Sequence, residues 1–157
     1  MTEPEQIAAV EPAPVIWNPN AAANWCLLFT PAFGAYLHML NWRALGDSKR
    51  AASSRAWFYS GMGLLVFYLL SSLVIGSKAS DAISRLVGLV YLLSWYFASA
   101  RPQARYVKER WGSDYVRRPW GKALAYALGG FLVYLLIAAV IGVMAAIVQV
   151  TTTPSQF

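Results

Sequence analysis

The stretch ALAYALGGFLVYLLIAAVIGVMAAIVQV occupies residues 123–150 and contains no charged side chain. At 1.5 Å per residue a helix of this length covers about 42 Å, against a bilayer hydrocarbon core of ~30 Å, so it is long enough to span with tilt. No polar face recurs along it at the spacing an amphipathic soluble helix needs. In lipid each backbone N–H and C=O must be satisfied within the segment, and that requirement makes it a helix.

Three further apolar segments lie upstream. AWFYSGMGLLVFYLLSSLVIG (56–76) is also free of charge. Residues 82–100 include LVGLVYLLSWYFA and carry Arg85 near their start, with Ser80 and Asp81 placed to cap the helix. AANWCLLFTPAFGAYLHMLNW (22–42) is long enough to span but is diluted by Asn24, Thr30, Pro31, His38 and Asn41. The expected fold is therefore all-α, a polytopic membrane bundle of four membrane segments. The first segment has two readings. It spans, or it is re-entrant, because Pro31 breaks the helix ladder and Gly34 gives the chain room to turn. If it spans, Trp25 and Trp42, about 26 Å apart on a straight helix, mark the two interfaces.

Composition agrees with a lipid-facing exterior. Hydrophobic residues make up 58% of the 157 and charged residues 13%, the latter about half the usual ~25%. The net charge of +6 could suggest nucleic acid, but the basic residues sit in two blocks between apolar segments. The loop 43–55 holds Arg43, Lys49, Arg50 and Arg55. The loop 101–122 holds Arg101, Arg105, Lys108, Arg110, Arg117, Arg118 and Lys122. The positive-inside rule places both loops in the cytoplasm and the short tail 151–157 outside. The side of the N-terminus depends on segment one. Residues 1–20, with Glu3, Glu5, Glu11 and four prolines but no Lys or Arg, read as a disordered tail ahead of a helical domain at 21–150.

The blocks NPNAAANWCLLFTPAFGAYLHMLNWRALG (18–46), RAWFY (55–59) and YVKERWGSDYVRRPW (106–120) resemble motifs of a family of small bacterial multi-pass inner-membrane proteins with no known activity. The resemblance covers about a third of the chain and implies a location in the bacterial inner membrane.

Candidate functional residues are few. Asn24, Pro31, His38, Asn41 and Arg85 form the candidate intramembrane polar site, since ionisable or polar groups at membrane depth are functional candidates. A polar contact inside the bundle is the plainer role for His38. For Arg85 it is snorkelling, or pairing with Asp81 one turn earlier. Ala138, Gly142 and Ala146 make a small-xxx-small run suited to close helix packing. The basic residues of 101–122, interleaved with Tyr106, Trp111, Tyr115 and Trp120, suit anionic headgroups or a cytoplasmic protein partner. Cys26 is the only cysteine, so no intramolecular disulfide or zinc cluster is available. No nucleophile elbow, phosphate-binding loop or paired carboxylates occur. No catalytic residue, metal site or cofactor is expected. The leading functional expectation is a non-enzymatic membrane protein that binds a protein partner, of accessory or toxin-immunity type. The alternatives are a subunit of a homo-oligomeric channel or transporter, with Asn24, His38 or Asn41 lining the pore, and a membrane enzyme acting on lipid, with Arg85 and His38 near the headgroups.

Overall fold

The computed structural model describes residues 13–74 and 78–152, excepting the side chains of 72–81, 149, 150 and 152. The chain begins with a two-residue strand β1 (Val15–Ile16), then α1 (Pro19–Leu28), α2 (Pro31–Ala44), α3 (Ser48–Val74) and α4 (Lys78–Trp95). A π-helical turn (Tyr96–Ala100) joins α4 directly to α5 (Arg101–Trp111), followed by strand β2 (Val116–Arg117) and α6 (Gly121–Thr152). The fold is all-α but for one short parallel pair, Val15 with Val116 and Ile16 with Arg117.

Segment one is two helices. Thr30 caps α2 by accepting a hydrogen bond from the Phe33 N–H at 3.3 Å, and Pro31 takes the first helical position, where its missing N–H costs nothing. Asn18 and Pro19 repeat the same device at the start of α1. With 10 and 14 residues, α1 and α2 are about 15 and 21 Å long, each too short for a bilayer core. They run antiparallel. Trp17 is hydrogen-bonded to Asn41, Ala22 shares a cluster with Leu37, and a Cβ on Gly34 would lie 3.0 Å from the Cys26 Cβ. The segment is thus a helical hairpin whose tip is Phe29–Pro31.

This geometry corrects several expectations. Gly34 does not form the turn; it lies inside α2, where a Cβ would meet the Trp95 ring at 2.7 Å. Trp25 and Trp42 do not mark opposite ends of one helix, since the chain doubles back between them. Residues 15–20, expected in the tail, form β1 and the start of α1; residues 1–12 lie outside the described residues. The loop 101–122 is helical through Trp111, and α3 begins within the loop 43–55. α4 begins at Lys78, so Ser80 and Asp81, expected to cap it, lie within its first turn; the expected Asp81–Arg85 pairing lies outside the described side chains, and Arg85 itself is exposed on α4.

The hairpin orders the rest. α2 runs antiparallel to α3, with Trp42 beside Arg50, Tyr36 beside Phe58, and Ala32 against Gly61. Gly61 is at the midpoint of α3, so the hairpin tip reaches only halfway along it. α4 returns antiparallel to α3 through Tyr91–Trp57 and Tyr68–Ser84 contacts. Trp120, just ahead of α6, lies against Trp25 of α1, and Phe131 of α6 lies against Phe29, the residue that ends α1. Among the described residues, two stretches are long and apolar enough to cross a membrane, Ala82–Trp111 and Gly121–Val148. The most apolar part of the second buries no residue inside the molecule. That is two fewer than the four expected. Segment one is divided, and segment 56–76 runs into residues outside the described set.

Candidate functional site

The buried polar side chains gather at the base of the hairpin, opposite its tip. Asn41, in the last turn of α2, is the centre. Its Oδ1 accepts from the Trp17 N–H at 3.0 Å, and its Nδ2 donates to the Trp17 carbonyl at 2.9 Å and to Gln103 Oε1 at 3.2 Å. Gln103 Nε2 then donates to the His38 carbonyl at 2.8 Å. One amide side chain therefore holds the strand leading into α1, and a second joins that pair to α5. All of Asn41, Gln103 and His38 are buried, where unmade hydrogen bonds cost about 1–3 kcal/mol per group.

The π turn places Gln103 there. Pro102 has no N–H to donate, and its ring would crowd the carbonyl four residues back. The ladder slips by one residue instead, and the Arg101 N–H reaches the Tyr96 carbonyl. Trp95, Ser99, Ala100, Gln103 and Val107 all become buried. The Trp95 indole fills the space left by Gly34 and meets the His38 ring edge to face at 5.6 Å. Neither His38 ring nitrogen has a hydrogen-bond partner among the described residues. Ser54 and Ser99 face each other at 3.4 Å between α3 and the π turn.

The candidate polar residues divide accordingly. His38 and Asn41 come together. Asn24 points outward from α1, Pro31 sits half-buried at the tip, and Arg85 is exposed far along α4. Gln103, Ser54 and Ser99 were not anticipated. Gln103 is an uncharged residue within a basic run, and nothing in its neighbours marks it as a partner of Asn41, 62 positions away.

The two basic stretches form one surface at this same end. The Arg50 guanidinium lies 4.8 Å from the Trp42 ring centroid and 5.1 Å from that of Tyr106, so the α2–α3 corner is locked to α5. Arg118 lies 4.9 Å over Trp17, and its N–H donates to the Ile16 carbonyl at 2.9 Å. Arg101, Arg105, Lys108, Arg110, Arg117 and Lys122 are exposed, and Arg118 is half-buried. Arg105 pairs with Glu109 at 2.7 Å.

The small-xxx-small run of α6 is mostly outside the molecule. Ala138 is half-buried, Gly142 and Ala146 are exposed, and a Cβ on Gly142 would meet nothing within 4 Å. Beyond the hairpin tip, α3 and α6 diverge around an apolar cleft of about 510 Å³ lined by Phe29, Met62, Val66, Leu69, Phe131 and Ile137, among others. Among the described residues no group of three His, Cys, Asp or Glu could hold a metal ion. No protein family, curated protein or solved structure matches this chain.

Proposed function

We propose that the chain is a non-enzymatic accessory protein of the bacterial inner membrane, which binds a protein partner in or at the bilayer, as an assembly factor or a toxin-immunity protein does. In this reading α3, α4 and α6 cross the membrane and α1–α2 is a re-entrant hairpin entering from the cytoplasmic side. The exposed Tyr59, Met62, Val66, Phe67 and Leu70 of α3 support its place as a third span. The basic end is cytoplasmic by the positive-inside rule, and β1 sits at that end with it. The far end of α6 is then periplasmic.

The observation that carries the reading is the division between interior and surface. The buried amides hold one another and the backbone. What faces outward is most of the apolar helix α6, whose most apolar part buries no residue inside the molecule, and a basic, aromatic-rich end. The channel alternative loses two of its residues on the same ground: His38 and Asn41 are buried within one chain and do not face a pore between copies, which leaves Asn24, exposed on α1, as its remaining candidate.

Photo-crosslinking in cells tests this, with a probe residue at Ala139 or Ala146 on α6, both exposed, and at Lys108 on α5. The reading predicts one discrete product with a different protein from at least one face, lost when Gly142→Leu is added beside the α6 probe or Arg101→Glu beside the α5 probe. A ladder of this chain alone favours the channel alternative. No protein adduct from either face overturns the reading.

A further inference from the structure

We propose that the acidic segment of this chain ahead of β1 docks on the basic face formed by α5 and β2. The segment carries Glu3, Glu5 and Glu11 and neither Lys nor Arg; it precedes the described residues, and the place where it joins them sets which surface it can reach. β1 is hydrogen-bonded to β2 in a parallel register that sets Val15 beside Val116. Followed backward in that register, the chain leaves the strand pair alongside Tyr115 and Asp114, toward the end of α5. The last turn of α5 carries Lys108 and Arg110. Glu11 is four residues from Val15, within ~14 Å of extended chain, and Glu5 within ~35 Å.

The charges are complementary. Between 101 and 122 the chain has seven basic residues against Glu109 and Asp114, and Glu109 is already engaged by Arg105. Lys108 and Arg117 are exposed, on a helix face and a strand edge that no other described element covers. Three carboxylates arriving beside such a surface are attracted at separations up to the Debye length, about 10 Å at 0.1 M salt. The docked segment would occupy the same cations that anionic headgroups or an acidic partner need, so it would act as a built-in competitor for that face. This inference does not depend on the partner-binding role; it requires only the basic face and the β1–β2 register.

Zero-length carbodiimide crosslinking, read by peptide mass spectrometry, tests it on the full chain in nanodiscs of zwitterionic lipid. Lys108 and Lys122 are at the basic end, and Lys78, at the other end of α4, is the internal control. The expected result is amide links from Glu5 or Glu11 to Lys108 or Lys122, at least several-fold above any link to Lys78, and falling several-fold in 1 M NaCl. Replacing zwitterionic lipid by phosphatidylglycerol should lower the yield. Links absent, equal to those at Lys78, or unaffected by salt would overturn the proposal. Lys108→Arg, which keeps the charge but removes the reactive amine, should shift links to Lys122; total loss of links in that variant would confine the contact to Lys108 and contradict docking on the wider face.

Discussion

Asn41 is the residue on which the hairpin depends most. Its amide replaces a missing backbone partner for Trp17 and also engages Gln103. Asn41→Ala leaves one buried and two part-buried groups unpaired, so the expected loss of unfolding free energy is about 2–4 kcal/mol, measurable by steric trapping in bicelles. Asn41→Ala and Gln103→Ala should couple by about 1 kcal/mol in a double-mutant cycle; strict additivity would mean that the amide pair is incidental. Gly34 makes the second demand. A Cβ there would lie 2.7 Å from the Trp95 ring, so Gly34→Ala should destabilise by about 1–3 kcal/mol, and Trp95→Phe should recover part of that loss. If Gly34→Ala alone is neutral, the α2–α4 approach is looser than described.

Among the elements, the hairpin was the most legible and the most ambiguous. Asn18-Pro19 and Thr30-Pro31 each place a capping side chain before a proline, a helix-start signal visible in the bare sequence. Segment one reads as broken from Pro31 alone, in the middle of an apolar run; that Thr30 does cap a new helix there is seen only in the structure. Which reading held could not be found in the sequence, because closure rests on Asn41 meeting Gln103 from another helix and on Gly34 admitting Trp95. Both are contacts between distant positions. The π turn is a similar case. Pro102 signals an irregularity, but not that the helix would continue through it and bury Ser99 and Gln103. The apolar helices α4 and α6 were legible because lipid imposes a single requirement along their whole length. A cap prediction belongs at this scale. Thr30→Ala removes the acceptor for the Phe33 N–H and should cost about 1 kcal/mol, with Thr30→Ser close to neutral. Equal effects from the two substitutions would show that the tip is fixed by packing rather than by its cap.

For the whole molecule, one relation organises everything else. Because segment one turns back, β1, the α2–α3 corner, α5 and the start of α6 all meet at the basic end, joined by the Arg50 and Arg118 ring contacts and the β1–β2 pair. Among the described residues, the end of α3, the start of α4 and the end of α6 lie at the other end. If α3, α4 and α6 each cross, as proposed, the number of crossings is odd and the two ends of the described chain lie on opposite sides of the membrane. The direct measurement is labelling of single cysteines in intact cells by a membrane-impermeant maleimide, in a Cys26→Ser background. Val15→Cys, Ser113→Cys and Thr151→Cys all replace exposed residues. Labelling of Thr151→Cys alone, with Val15→Cys and Ser113→Cys reacting only after the cells are permeabilised, is the predicted result. Labelling of Val15→Cys together with Thr151→Cys in intact cells would mean that segment one spans, and would contradict the re-entrant hairpin.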